Sequence, residues 1–340
     1  MKPNIAIKMI SVLLSVTIIA IMFSGCSQSK TENKNKKISI VATIFPQYDF
    51  ARRIAGDRAG ITMLLKPGME AHSYEPSPKD IIGISQCDLF LNVGGESESW
   101  LSSVLESADN PSMKIVSALD CVEAIEEETA EGMQSRGHHH EHEHEEQEHA
   151  SDSDRHHDEC EEEEEEYDEH VWTSPMNAIA IVNEINKALC EIDPANADFY
   201  CHNTNEYVAE LLELDNSFRD VISQSKRHLL VFGDRFPLLY FVRAYGLEYY
   251  AAFPGCAAET EPSAATVAFL INTVKREKVP VVLYIELSNH RVADAIAEAT
   301  GTRTAQFNTC HNISAKDFEA GESYLSLMRA NVGILREVLN

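Results

Sequence analysis

The chain has 340 residues and a formal net charge of −27 at pH 7, and one segment supplies most of that charge. Between Glu123 and Glu169 there are 22 acidic and 2 basic residues. The rest of the chain carries 33 acidic and 26 basic residues, a balance that is ordinary for a folded protein. Nucleic-acid binding requires clustered lysine and arginine, and this sequence offers no such cluster, so the composition argues against a nucleic-acid partner.

The first 25 residues have the pattern of a secretory signal peptide. Lys2 and Lys8 give a basic start, and residues 9–23 are apolar apart from three hydroxyl residues. The run is shorter than the ~20 residues that a membrane-spanning helix needs, although an uncleaved anchor is the alternative. It ends at Phe23-Ser24-Gly25-Cys26, which resembles the bacterial lipobox. That resemblance implies cleavage before Cys26, lipidation of this cysteine, and a polar tether over residues 26–37.

Residues 38–174 alternate between short apolar runs and helical patterns. Strands that alternate with helices at this spacing predict βαβ units and a parallel sheet, so we assign these residues to an amino-terminal α/β lobe. The predicted strands are 38–44, 61–65, 88–93 and 114–116, and the predicted helices are 47–55, 79–85 and 98–108.

A long helical stretch separates this lobe from a second alternating region. Ser174-Pro175 is typical of a capped helix start, and helical periodicity continues to about residue 225 with a break at Asp193-Pro194. We assign residues 175–226 to linking helices and residues 227–340 to a carboxy-terminal α/β lobe. Ligands sit at the carboxyl ends of parallel strands, so a cleft between the lobes is the expected binding site. The second lobe has predicted strands at 228–232, 247–252, 281–285 and 303–307, and helices at 263–278, 290–299 and 315–338.

Three histidines lie where loops would present them to such a cleft. His72 follows one predicted strand and precedes a helix, His170 directly precedes the first linking helix, and His311 follows the last strand. Imidazole is the commonest neutral metal ligand, so these three residues are candidate metal ligands.

Two carboxylates also follow strands of the second lobe. Asp234 comes after the strand 228–232, where it is a candidate ligand or the cap of the next helix. Glu286 comes after the strand 281–285 and is a candidate ligand, a hydrogen-bond acceptor for a ligand histidine, or a helix cap.

Residues 137–166 form a segment rich in histidine and glutamate inside an insertion at about 123–167. It has too few apolar residues to compensate for the conformational entropy that ordering would cost, so we predict that the segment is disordered. One interpretation is a solvated loop whose histidines have little role, and the other is a loop that collects metal weakly. Its histidines are His138, His139, His140, His142, His144, His149, His156 and His157.

Three strings of residues, in this order along the chain, carry a family resemblance. His72-Ser73-Tyr74-Glu75-Pro76-Ser77-Pro78 and His170-Val171-Trp172-Thr173-Ser174-Pro175 resemble two signature motifs of the ZnuA-like zinc and manganese solute-binding proteins. Ser323-Tyr324-Leu325-Ser326-Leu327-Met328 is similar to the ending of that family. The resemblance covers residues 38–340. It implies two α/β lobes joined by a long rigid helix, one metal ion in the interlobe cleft, and delivery to the permease of an ABC importer.

The resemblance assigns His72 and His170 to the first two metal ligands of the family. At the other two positions this sequence departs from the pattern. Gly233-Asp234 stands where the family commonly has histidine or glutamate, and Cys310-His311 where it has aspartate. We assign Asp234 and His311 as the third and fourth ligands. Two or three histidines with a carboxylate favour tetrahedral zinc, whereas a site richer in carboxylates would favour manganese.

These observations predict a monomeric, lipid-anchored receptor outside the cytoplasmic membrane that captures zinc. A manganese receptor of the same kind and a surface metal buffer or adhesin are the alternatives. An enzyme is not expected, since no His-Glu-x-x-His helix is present in the sequence.

Two cysteines lie near the predicted site. Cys256 and Cys310 both follow strands of the second lobe, and a disulfide between them would hold the His311 loop. The alternatives are that Cys310 is a thiolate ligand of zinc, or that both thiols are unpaired.

Overall fold

Two four-stranded parallel sheets form the framework of the computed structural model, which describes residues 37–70, 74–133, 167–255 and 262–340. Every predicted strand is present, and the predicted α/β fold class is confirmed. The first sheet contains β1 (Ile38–Ala42), β2 (Ala59–Met63), β3 (Leu89–Asn92) and β4 (Lys114–Ser117). The second contains β5 (Leu229–Phe236), β6 (Glu248–Pro254), β7 (Val281–Tyr284) and β8 (Arg303–Gln306).

Both sheets have the same strand order. It is β2-β1-β3-β4 in the first sheet and β6-β5-β7-β8 in the second. The order reverses direction between β1 and β3, and again between β5 and β7. At such points the connections leave on opposite faces and open a crevice at the carboxyl ends of the strands. Each sheet therefore has one position suited to a ligand.

Ten α-helices connect and cover the strands in the described residues. The helix α2 begins with a capping box in which Ser77 and Asp80 satisfy each other's backbone N–H groups. The helices are α1 (Phe45–Ala55), α2 (Pro78–Gln86), α3 (Leu101–Ser107), α4 (Pro175–Ile192), α5 (Ala197–Ser223), α6 (Leu239–Tyr245), α7 (Ala264–Glu277), α8 (Arg291–Thr300), α9 (Ala315–Ala320) and α10 (Tyr324–Val338).

The longest helix, α5, packs against α1, α4 and α10 and connects the two sheets in sequence. Its buried side chains Tyr207, Leu211, Leu214 and Phe218 recur every three or four residues, so they form one apolar face. They belong to a core cluster that also includes residues of both sheets. The lobe boundaries inferred from the sequence stay a prediction, because residues 38–340 pack as one compact unit.

The structure corrects three local predictions. The helix predicted over residues 315–338 is two helices, because Gly321 adopts φ 81°, ends α9 in the left-handed region, and lets Ser323 cap α10. The strand β5 runs on to Phe236 through an irregularity after Phe232, so Asp234 lies inside the strand. Ser174 precedes α4, but its side chain makes no capping hydrogen bond.

Within the described part of the chain, no helix is both long and apolar enough to cross a lipid bilayer. The predicted signal peptide, the lipidation site Cys26 and most of the tether lie outside the described residues, as does the segment 134–166 with its eight histidines.

Candidate metal centre

The loops that follow β7 and β8 are joined by one carboxylate. The side chain of Glu286 accepts hydrogen bonds from the backbone N–H and the hydroxyl of Thr309, at 2.7 and 2.6 Å, and from the backbone N–H of His311 at 3.1 Å. Burial raises the pKa of Glu286, and these three hydrogen bonds oppose that rise. Glu286 therefore fixes the loop on which His311 stands.

His170 approaches from the other side, on the loop that leads into the 3₁₀ turn Val171–Thr173. Its side chain is fully buried, and its ring centroid lies 5.1 Å from that of His311 with the two rings nearly perpendicular. The residues are 141 positions apart in the chain, so the fold, and not local sequence, brings them together. Of the predicted ligands that are described, these two are in direct contact.

Asp168 orients the imidazole of His170. Its Oδ1 accepts a hydrogen bond from the His170 backbone N–H at 2.8 Å and lies 3.3 Å from the ring Nδ1. Burial lowers the pKa of His170, but the carboxylates of Asp168, Glu169 and Glu127 together raise it, and the net pKa is above the ordinary histidine value. With Nδ1 facing Asp168, Nε2 is the nitrogen suited to a metal ion.

Trp172 ties the His170 loop to the His311 loop. Its indole N–H donates to the carbonyl of Thr309 at 2.9 Å, and its ring centroid lies 5.1 Å from that of His311. Tyr324, the first residue of α10, donates its hydroxyl to the carbonyl of Trp172 at 2.7 Å. These contacts hold the two histidines on a connected and buried framework.

The loop that precedes His72 packs against the residues that follow His311. Gly68 donates its N–H to the carbonyl of Ile313 at 2.8 Å, and the Asn312 amide donates to the carbonyls of Lys66 and Met69 at 2.9 and 2.8 Å. His72 itself is outside the described residues, so its assignment as a ligand stays a prediction.

Asp234 is directed toward backbone groups. Its Oδ1 accepts from the N–H of Arg235 at 2.9 Å, and its Oδ2 accepts from the N–H of Ile285 at 3.2 Å. The second bond spans β5 and the end of β7, where the strand order reverses. Asp234 lines a recess next to the one lined by Glu286 and His311. It is not the helix cap considered above, and its role as a ligand stays a prediction.

Arg235 is a charged residue at the site that the sequence reasoning missed. Its guanidinium makes two hydrogen bonds to the Glu70 carboxylate, at 3.1 and 3.2 Å, and it lines the recess beside His311. This recess has a volume of about 30 Å³, which suits an ion or a water and is too small for an organic solute. No sequence pattern indicated Arg235, because its partner lies 165 residues away.

Gly255 was also missed, although the Pro254-Gly255 pair at the end of β6 was a usable signal. A Cβ at this position would lie 3.1 Å from the Phe236 carbonyl oxygen and 3.3 Å from Cε1 of His170. The absence of a side chain therefore lets the backbone approach the imidazole.

Cys310 is a buried free thiol with a backbone φ of 60°. Burial raises the pKa of this thiol well above its usual range, which disfavours the thiolate that a zinc ligand would need. Cys256 lies outside the described residues, so the Cys256–Cys310 disulfide stays a prediction.

The two ends of the acidic insertion meet close to His170. Glu126 and Tyr167 form an isolated antiparallel bridge, and the Asp168 N–H donates to the carbonyl of Ile125 at 2.9 Å. The bridge that closes the insertion therefore lies at Tyr167, three residues before the buried imidazole in the chain.

The described residues contain no group of three or more His, Cys, Asp and Glu side chains arranged to hold a metal ion. If His170 and His311 both bind a metal ion, as predicted, further donors would come from a residue outside the described ranges or from a carboxylate in a different position. His72 lies two residues after Glu70, the last residue of the described loop Lys66–Glu70. It is the candidate donor outside the described ranges that is closest in sequence to this loop.

Comparisons with known proteins place the chain in a family. Residues 40–338 match the family model ZnuA, described as zinc-uptake complex component A, periplasmic. The chain is 30% identical over 334 residues to the zinc-binding lipoprotein AdcA of Streptococcus pneumoniae, covering 97% of this chain and 61% of that protein. It thus spans about three fifths of that relative. It is also 30% identical over 331 residues to the high-affinity zinc uptake system protein ZnuA of Bacillus subtilis, covering 94% of each.

A solved structure has the same fold over most of the chain. The Zn(II)-bound ZnuA-like domain of Streptococcus pneumoniae AdcA superposes with a TM-score of 0.69 at 27% identity, covering 89% of this chain and 99% of that domain.

Proposed function

The chain belongs to the ZnuA family of zinc-uptake components, and we propose that it captures Zn²⁺ outside the cytoplasmic membrane and delivers it to an ABC importer. The observation that carries this proposal is the contact of the buried His170 with His311 beside a recess of ionic size. Zinc is the cargo of such a receptor, bound and released without chemical change, so the proposed function includes no catalysis.

The proposed donor set is His72, His170 and His311 with one carboxylate. Three imidazoles and a carboxylate suit the tetrahedral preference of zinc. Glu286 contacts the His311 backbone and is the better placed carboxylate, while Asp234 is the alternative assigned from the sequence. A manganese receptor would be expected to supply more oxygen ligands.

The histidine-rich segment is proposed to collect metal weakly before it reaches the cleft. Support comes from the Glu126–Tyr167 bridge, which pairs the chain before this segment with the chain after it, three residues before His170. Its eight histidines and surrounding carboxylates would raise the local concentration of zinc without forming one fixed site.

The proposed location is the outer face of the cytoplasmic membrane, with lipid on Cys26 and residues 26–37 as a tether. The proposed partner is the permease of a metal importer, and the receptor is proposed to act as a monomer. The relatives named as zinc-binding lipoprotein and zinc uptake protein support this location and partner.

The test is zinc binding by ligand variants in a competition titration with a chromogenic chelator. We expect His170→Ala and His311→Ala each to weaken the tight site by at least ~10-fold, since each removes a metal donor. His202→Ala is the matched control, because His202 is exposed on α5 and pairs with Glu206 at 3.5 Å. Unchanged affinity and stoichiometry in both site variants would refute the assignment.

The rival functions give different results in the same titration. A pure metal buffer would lose nearly all bound zinc when residues 137–166 are deleted, whereas a receptor keeps one tight site. A manganese receptor would retain manganese through purification and lose it only slowly to zinc.

A further inference from the structure

Two thiols meet at the end of the α4–α5 hairpin, away from the histidines. Cys190 lies in the last turn of α4 and Cys201 in the second turn of α5, and their Sγ atoms are 3.9 Å apart. By contrast, Cys87 and Cys121 each donate to a backbone carbonyl of their own segment, at 3.1 and 3.2 Å. Cys190 also lies 3.6 Å from Oδ1 of Asn186, and among the described cysteines it is Cys190 and Cys201 whose thiols contact each other.

We propose that Cys190 and Cys201 form a disulfide after the chain leaves the cytoplasm. This inference depends on the proposed extracytoplasmic location, where disulfides form and persist, but not on zinc binding. The bonded sulfur distance is about 2.0 Å, so each Sγ needs to move by about 1 Å, which a modest χ1 rotation provides.

The turn between the helices already holds the two cysteines in register. Asp193 accepts hydrogen bonds from the Asn196 amide at 2.6 Å and from the Tyr200 hydroxyl at 2.9 Å. The Tyr200 side chain is fully buried next to Cys201 in sequence. Because this short connection is fixed, bond formation requires little movement of the backbone.

The chemistry is ordinary thiol–disulfide exchange with an external disulfide, either a thiol oxidoreductase or glutathione disulfide. Cys201 is exposed and attacks first as the thiolate, forming a mixed disulfide and releasing one oxidant sulfur as a thiolate. The thiolate of Cys190 then attacks Sγ of Cys201 and releases the second oxidant sulfur. Two protons and two electrons pass from the cysteines to the oxidant, which leaves as a dithiol or two thiols.

The second step is expected to be slow near neutral pH. Burial raises the pKa of Cys190 to about 11, and its contact with Cys201 adds to that rise. Only a small fraction of Cys190 is thiolate at pH 7, so closure should accelerate as pH rises toward 9.

A metal ion shared by the two thiols is the competing interpretation. Two sulfurs alone do not make a closed site, and the part of the chain that the structure describes offers no cluster of three or more ligating side chains here. We therefore favour the disulfide, and the experiment below separates the two.

Peptide mapping without reductant tests the bond in the exported full-length protein. Trypsin is unsuitable, because no lysine or arginine lies between Lys187 and Arg219 and both cysteines stay in one peptide. A glutamate-specific protease cleaves after Glu191, so the two peptides remain joined only through the disulfide. We expect one linked peptide that reduction separates. Complete alkylation of both thiols after treatment with glutathione disulfide would overturn the proposal.

Single variants measure the effect of the bond. Cys190→Ser and Cys201→Ser should abolish the linked peptide and lower the melting temperature by about 2–6 °C relative to the oxidised protein. Cys121→Ser, which removes an unrelated thiol, should keep the linked peptide. The tight zinc site should be unchanged in Cys201→Ser, so a failure of the zinc proposal would not affect this test. If both thiols are free and zinc protects them from alkylation, the disulfide proposal is wrong and the two cysteines bind a metal ion instead.

Discussion

At the residue scale, the protonation of His170 is controlled by two opposing influences. Burial favours the neutral imidazole, whereas the carboxylates of Asp168, Glu169 and Glu127 together favour the charged one by a larger amount. Zinc binds only the neutral imidazole, so the same carboxylate that orients the ring for metal also stabilises the proton that competes with it.

Zinc affinity should therefore change with pH at values above the ordinary pKa of histidine. Because the pKa of His170 is raised above its ordinary value of ~6.5, zinc must displace a proton at pH values above ~6.5, and affinity should fall as pH decreases through that range. Asp168→Asn removes the largest of the effects that raise this pKa, so the fall in affinity should move to lower pH. The measurement is zinc affinity from pH 5.5 to 8.5 in both proteins, and identical profiles would contradict this account.

The stability of the metal-free protein should have the opposite pH dependence. A pKa that is higher in the folded state contributes stability that is fully present below the unfolded value of ~6.5 and is lost as pH rises through the folded value. Thermal unfolding in the presence of a chelator should show this contribution in the wild type. It should be smaller in Asp168→Asn, which removes the largest effect that raises this pKa.

The two candidate carboxylates should differ in their importance for zinc. Glu286→Gln places an amide N–H opposite backbone donors of Thr309 and His311, so it should disturb the His311 loop and weaken zinc binding by at least ~10-fold. Asp234→Asn should have a smaller effect, because Asp234 lines the neighbouring recess. The reverse order in competition titrations would support Asp234 as the ligand.

At the element scale, the site is made by loops at the ends of parallel strands that are fastened to one another. Asn312 joins the loop after β8 to the loop after β2 through two carbonyls, and Trp172 joins the loop before α4 to Thr309. Loops held in this way are ordered before metal arrives, so less conformational entropy is lost on binding.

The variant Asn312→Ala tests how much this ordering of the loops contributes to stability and to zinc affinity. It leaves the carbonyls of Lys66 and Met69 without their buried donor, which we expect to cost about 1–3 kcal/mol of stability and to weaken zinc binding. Asn203→Ala is the matched control, because the Asn203 amide donates to the carbonyl of Ile54 at 2.9 Å between α5 and α1. The control should lose stability without losing zinc affinity, as measured by thermal unfolding and competition titration.

At the scale of the whole molecule, the buried cleft and the histidine-rich segment should bind zinc with different strength. The proposed site includes His170, which is fully buried, whereas the composition of the segment 137–166 predicts disorder. Zinc bound only to the folded state raises stability by mass action, and this effect belongs to the cleft.

Deletion of residues 137–166 should remove the weak zinc and keep one tight site. With free zinc at about 100 times its Kd, the free energy of unfolding should increase by ~2.7 kcal/mol, which corresponds to roughly 5 °C in melting temperature. This increase should be the same in the full-length protein and in the deletion variant. As pH falls toward 5 the full-length protein should lose its weak zinc first. Calorimetry and thermal unfolding check this, and loss of the zinc-dependent shift in the deletion variant would contradict it.

Much of the fold could be predicted because its signals are local. Short β-branched runs such as residues 38–42 have the length and burial of parallel strands, and Tyr207 to Phe218 keep helical periodicity. The break at Gly321 was missed because apolar residues continue on both sides of it. Only the left-handed backbone at that glycine shows that one predicted helix is two.

The sequence by itself determined the eight strands, the long α5 helix and the candidates His170 and His311, because periodicity, turn residues and motifs are properties of neighbouring residues. The tertiary structure alone decided that these histidines touch, that Glu286 holds the His311 loop, and that Asp234 turns toward Ile285. It also decided that Arg235 pairs with Glu70 and Cys190 meets Cys201. Most of these contacts join residues more than 50 positions apart in the chain, and their geometry depends on the packing of both sheets on a shared core, which no local pattern encodes.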